Sequence, residues 1–152
     1  MNSWDLRFLR LAKEISTWSK DPSTRVGAVI TNNRNQILSL GFNGFPRGVN
    51  DDDRLNDRDT KLKMVVHAEA NALLNASCSL RDSVAYIYPF MPCSNCAGLL
   101  IQAGVKRVVS IMNDNPRWQE SFKLTRRMFV ETDVELILYD ADSIRDLIQM
   151  SA

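Results

Sequence analysis

The chain has a single histidine, His67, and 26 residues beyond it two of its three cysteines, Cys93 and Cys96, stand as Cys-x-x-Cys. One imidazole and two thiolates are sound zinc ligands, and three protein ligands leave the fourth tetrahedral position free for water, which separates a catalytic from a structural zinc site. A chain that uses them together must fold so that position 67 meets the 93–96 segment. Pro92 stops the element before it, and Cys93 and Cys96 are expected in the first turn of the next helix. There the unpaired N–H groups and the positive end of the helix dipole favour thiolates, two of which cancel the charge of Zn²⁺. Cys-x-x-Cys alone also fits a redox pair or half of a structural knot, and Cys78 could close a Cys₃His site. Reach argues against that closure, because eleven helical residues at about 1.5 Å each carry Cys78 some ~16 Å from His67. Cys78 is expected instead to be a small buried apolar residue.

Glu69 follows His67 by two residues, about 200° around a helix, and so does not share its face. At a helix start such a carboxylate can point at the water in the open position and act as general acid and base. Away from these ligands it would read as a solvated helix glutamate.

The rest of the pattern predicts an α/β chain. Phe8, Leu11, Ala12, Ile15 and Trp18 recur at helical spacing over Trp4–Trp18, behind Asn2 or Ser3 as cap. Two β-rich runs, Arg25–Thr31 and Gln36–Gly41, flank the turn residues Asn32–Asn35. A long polar loop is expected from Gly41 to about Lys61. After it come a helix from near His67, a strand at Val84–Tyr88, a helix at Ser94–Ala103, a strand at Lys106–Ile111, a helix at Arg117–Phe129 and a strand at Val134–Tyr139. Asp142 or Ser143 can cap a last short helix. Strands alternating with helices imply a three-layer α/β/α sandwich with a central mixed sheet of about five strands.

At 152 residues, with 45% hydrophobic and 24% charged, the chain reads as one domain spanning 1–152. It has no apolar run long enough to cross a bilayer as a helix and no secretory signal at its start, so a cytoplasmic location is expected. Lys+Arg 19 against Asp+Glu 18 gives a net charge of +1, which provides no bulk basic field for long nucleic acid. A small charged ligand needs only a few local cations. Lys20, Arg25, Arg47 and Arg117 lie in the candidate loops, and Lys20 is favoured for a phosphate, although each also reads as a surface charge.

His67-Ala68-Glu69 followed by Pro92-Cys93-Ser94-Asn95-Cys96 resembles the signature of the zinc-dependent deaminases. Ser19-Lys20-Asp21-Pro22-Ser23-Thr24-Arg25-Val26-Gly27-Ala28, Gly41-Phe42-Asn43-Gly44-Phe45-Pro46-Arg47-Gly48 and Leu99–Val105 narrow the likeness to the deoxycytidylate deaminases, from Ser19 to about Asp140. The resemblance implies hydrolysis of dCMP to dUMP and ammonia, supplying dUMP for thymidylate synthesis. Deoxycytidine triphosphate is the alternative substrate. Outside this reading stand a polynucleotide deaminase, which would need a basic groove and aromatic platforms, and a silent zinc-stabilised binding protein, which would not need Glu69.

The same resemblance implies that His67, Cys93 and Cys96 hold the zinc, that Glu69 is catalytic, that Asn43 contacts the sugar hydroxyl and that the Ala68 backbone N–H meets the base. Asn43 also reads as a turn residue beside glycines. Trp118 is expected either to stack on the base or to pack within its helix. Family members assemble as hexamers, activated by dCTP and inhibited by dTTP with Mg²⁺. Their effector loop corresponds to Gly41, Asn43, Gly44 and Arg47, whose glycines allow close phosphate approach. Asp51, Asp52 and Asp53 either help hold the Mg²⁺ or form a solvated acidic loop. Some members carry further Cys and His ligands for a second zinc, and Asn50–Val66 contains neither, which implies one zinc per subunit.

Overall fold

The computed structural model describes residues 2–149. The elements run α1 (Ser3–Ser16), β1 (Gly27–Thr31), β2 (Ile37–Phe42), a 3₁₀ turn (Asp53–Asn56), α2 (Arg58–Met64), α3 (Ala68–Asn75) and β3 (Val84–Tyr88). They continue with α4 (Ser94–Ala103), β4 (Arg107–Ile111), α5 (Pro116–Glu131), β5 (Glu135–Tyr139) and α6 (Ala141–Gln149). One sheet of order β2-β1-β3-β4-β5 results, in which β1 is antiparallel to both β2 and β3 while β3, β4 and β5 are parallel. This is the mixed five-strand α/β/α sandwich that the sequence pattern implied.

All five residues of β1 are buried, which requires cover on both faces of the sheet. Ala28, Ile30, Ala85, Ile87 and Val108 pack with Ala68, Ala72, Ala97 and Leu100 of α3 and α4. Their neighbours Val29, Tyr86 and Val109 turn the other way, towards Phe8, Leu9 and Ala12 of α1 and Ile144 and Ile148 of α6. Asp5 of α1, fully buried, ties that layer to the sheet. Arg107 forms two hydrogen bonds to its carboxylate at 2.8 Å each, and the Tyr139 hydroxyl donates a third at 2.6 Å. Burial alone would raise the Asp5 carboxyl, but Arg107 and Tyr139 outweigh it and hold the group below the usual carboxylate range.

Three expectations change. The first helix ends at Ser16, so Trp18 lies beyond it, half exposed and edge-on to Phe42, while Leu9 takes the buried position. The span expected as a loop from Gly41 to Lys61 contains the 3₁₀ turn and most of α2. Only one residue of α2, Lys61, is buried, so that helix carries no apolar stripe to reveal it. Strand β2 runs one residue further than expected, to Phe42, with Gly41 as its penultimate residue. A side chain there would collide with the α3 backbone at Ala68, Asn71 and Ala72, so the absence of Cβ lets α3 lie directly on the strand.

Asn71 and Asn75, one turn apart on α3, donate their side-chain amides to the Phe42 and Leu40 carbonyls of β2 at 2.8 and 3.1 Å. This fixes the helix along the strand, with its amino end beside the sheet. Gly41→Ala is therefore expected to lower stability by about 1–3 kcal/mol through overpacking, as read by denaturant unfolding. Unchanged stability would show that α3 can move away from β2 freely.

Candidate metal centre and active-site cavity

His67 is the N-cap of α3 and Cys93 the N-cap of α4, and neither side chain makes a capping hydrogen bond. Cys96 follows in the first turn of α4. The two helices thus present their amino ends, with unpaired N–H groups and positive dipole ends, to one point. His67 Nδ1 lies 3.3 Å from Cys96 Sγ and 3.6 Å from Cys93 Sγ, and the three ligand atoms all fall within 4.8 Å of one another. Zinc bonds of about 2.0–2.1 Å to nitrogen and 2.3 Å to sulfur at a tetrahedral angle set N and S about 3.6 Å apart. The donor set and its spacing fit a zinc ion.

Helix α5 supports this corner. Ser121 Oγ accepts the backbone N–H of Ser94 at 2.8 Å, and Thr125 Oγ1, buried, donates to the Pro92 carbonyl at 3.0 Å. The segment carrying Cys93 is thereby held from behind. Without a cation the two thiols compete for one negative charge: Cys96 beside it lowers Cys93, and Cys93 in return raises Cys96. The Cys93 sulfur, accepting a hydrogen bond, raises His67. A divalent ion among the three removes that competition by favouring both thiolates and the neutral imidazole.

A cavity of about 140 Å³ opens beside these ligands, and Glu69 lines it. Glu69 is the second residue of α3 and only 6% exposed. Burial pushes its carboxyl up to about 7, the Cys93 charge adds to the rise, and its own backbone N–H and His67 oppose it. Ala68, fully buried, lines the same cavity with a helix-start N–H that has no partner within the helix. One wall is aromatic: Phe90 lies 5.5 Å from Trp118 and 5.9 Å from Phe122, centroid to centroid. Another part of the lining comes from α2, through Arg58, Lys61 and Leu62, and from Val65 just after it.

Asn43 reaches the cavity but is also fastened internally. Its Oδ1 accepts the Val26 N–H at 2.9 Å and its Nδ2 donates to the Thr24 carbonyl at 2.8 Å. Arg117 lines the cavity beside Trp118, whereas Lys20 does not. Lys20 is exposed and ion-paired with Asp51 at 3.2 Å, pointing outward between the buried residues Ser19 and Asp21. Cys78 is exposed, contrary to expectation, since α3 stops at Asn75 and releases the chain to the surface. It takes no part in the ligand cluster. Gly44 pairs with Val66 next to His67, and Arg47 reaches Asn75 Oδ1 at 3.4 Å, at the other end of α3. Arg58, Lys61 and Phe90 escaped the sequence reading, as no spacing connects them to the ligand motif.

The family model described as "Cytidine and deoxycytidylate deaminase zinc-binding region" matches residues 2–112. An uncharacterized deaminase of Aliivibrio fischeri is 38% identical over 148 residues, covering 95% of this chain and 99% of that one. The deoxycytidylate deaminase of Mus musculus is 39% identical over 133 residues, which is 83% of this chain and 74% of the mouse protein. Among solved structures, the apo dCMP deaminase of cyanophage S-TIM5 superposes with a TM-score of 0.72 at 25% identity, covering 91% of this chain and 98% of that one.

Cys93→Ala and Cys96→Ala are each expected to lose zinc and, because metal binding is linked to folding, stability as well. Elemental analysis of the purified variants tests this. Full zinc occupancy in either one would mean the ligand set is different.

Proposed function

Since this chain belongs to the cytidine and deoxycytidylate deaminase family, we propose that it hydrolyses dCMP to dUMP and ammonia, a reaction that supplies the precursor for thymidylate synthesis. The observation that carries this reading is the cluster of His67, Cys93 and Cys96 at the edge of a cavity that His67 and Cys93 line together with a buried Glu69. When bound to the three ligands, one zinc ion per chain supplies Lewis-acid activation of water at neutral pH.

The chain's own residues perform the proton transfers and the positioning. Glu69 takes a proton from the attacking water and delivers it to N3 of the cytosine ring as the water oxygen bonds to C4. It then moves the remaining proton to the exocyclic nitrogen, the C4–N4 bond breaks, and ammonia leaves. A carboxyl whose affinity for protons lies near neutrality is suited to both steps. The Ala68 N–H holds the base, Trp118 and Phe90 form its aromatic wall, and Asn43 turns the free valences of its fastened amide to the sugar hydroxyl.

For the 5′-phosphate, Arg58 and Arg117 are the better supported cations. Both line the cavity, and neither forms an ion pair among the described residues. Lys20 faces solvent and Asp51, which favours an outer, steering role. Deoxycytidine triphosphate remains the alternative substrate, and a polynucleotide is disfavoured by the +1 net charge.

Regulation by dCTP and dTTP with Mg²⁺ is part of the same proposal, as are a hexameric assembly and a cytoplasmic setting. What supports it is position: the Asn43–Gly48 segment leaves the cavity at Asn43 and reaches the far end of α3 through Arg47 and Asn75. An effector there would act on the helix that carries His67 and Glu69. Asp51 and Asp52 are occupied by Lys20 and Arg54, so Asp53 is the acidic side chain left for a cation. No helix among the described residues is long and apolar enough to cross a membrane.

Ammonia release from deoxycytidine, dCMP and dCTP tests the substrate. The greatest kcat/KM is expected with dCMP, and its absence would refute this assignment. Glu69→Gln is expected to retain zinc and lose roughly 10²–10⁴-fold in turnover, the usual contribution of a general acid and base. Near-normal turnover in the zinc-loaded variant would contradict the proton-transfer role.

A further inference from the structure

We propose that the buried ion pair between Lys61 and Asp21 is a latch that holds α2 in place as a wall of the substrate cavity, which makes Lys61 a positioning residue for substrate binding. The substrate part of this inference rests on the dCMP reading above.

A surface helix normally attaches through an apolar stripe, and a helix of seven residues does not persist alone in water. Lys61 is the only buried residue of α2, and Leu62 beside it is 50% exposed. What attaches the helix is therefore the Lys61 ammonium. Its Nζ donates to Ser23 Oγ at 2.6 Å and lies 3.2 Å from Asp21 Oδ1, across 40 residues of sequence. Asp21, 4% exposed, also accepts the backbone N–H groups of Ser23 at 2.9 Å and Thr24 at 3.0 Å. The loop that leads into β1 is thus folded around one carboxylate, and Lys61 supplies the cation. Burial raises the Asp21 carboxyl, but those N–H groups and Lys61 prevail and keep it charged.

Deleting the Lys61 charge leaves a buried carboxylate without its cation, a change far larger than the loss of a surface pair. It also removes the polar head by which the sole buried side chain of α2 is tied to Asp21 and Ser23. The metal ligand just downstream has separate anchorage. Gly44 and Val66 exchange two backbone hydrogen bonds, at 3.1 and 2.8 Å, between α2 and His67. Losing the latch should free the wall carrying Arg58 and Leu62 while leaving His67 in place.

The test compares zinc-loaded wild type, Lys61→Met and Lys61→Arg by hydrogen exchange, zinc analysis and steady-state kinetics with dCMP. In Lys61→Met, exchange over residues 58–64 is expected to rise about tenfold or more while the sheet stays protected and zinc is retained. The kinetic loss should fall on KM, by about tenfold, rather than on kcat. Lys61→Arg, which keeps the charge, should recover most of both effects. Unchanged exchange in α2 would overturn the proposal, and so would zinc loss or misfolding in both variants, since a latch is dispensable to the fold. If wild type does not turn over dCMP, the substrate reading fails, and exchange alone still decides the latch.

Discussion

Everything in this molecule follows from bringing three ligand atoms within 4.8 Å of one another using the amino ends of two helices. A helix start is the one place where His67, Cys93 and Cys96 can be close together and surrounded by unpaired N–H groups that stabilise thiolates. Placing both starts on the same side of the sheet requires α3 and α4 to share a layer. The buried alternation of β1 and β3 provides that, with Ala28, Ile30, Ala85 and Ile87 facing them. Gly41 then sets the height of α3 above the sheet, and Ser121 and Thr125 of α5 set the position of the Pro92–Ser94 corner.

This arrangement makes Glu69 inward-facing without making it a ligand. A two-residue step from His67 at a helix start turns the carboxylate into the cavity, where burial raises its proton affinity. The same structural choice that gathers the three ligand atoms thus places a buried carboxyl of raised proton affinity next to them. The cavity walls are of different kinds. The aromatic wall of Phe90, Trp118 and Phe122 belongs to the packed body of the molecule, whereas the α2 wall depends on one buried ion pair.

The sequence made the sheet and the ligand set legible because both are written as local patterns. The runs at Val84–Tyr88 and Ser94–Ala103 have the observed bounds of β3 and α4, and the histidine has no competitor elsewhere in the chain. What stayed hidden depends on tertiary contacts. Helix α2 has no apolar period, so a stretch ending in Lys-Leu-Lys-Met looks like a solvated loop until Asp21 is seen beside Lys61. Lys20 and Lys61 carry the same charge, and only their tertiary partners, exposed Asp51 for the one and buried Asp21 for the other, tell which one meets the cavity. Cys78 takes no part in the ligand cluster, but not through the long helix that the sequence suggested: α3 ends at Asn75, and Cys78 lies exposed beyond it.

The most direct test of the central claim is zinc K-edge X-ray absorption of the purified protein. The account predicts two sulfur neighbours at about 2.3 Å, one imidazole nitrogen at about 2.0–2.1 Å, and one further light-atom neighbour in the position left open by the protein. A shell of three or four sulfurs, or a protein that binds no zinc, would contradict it.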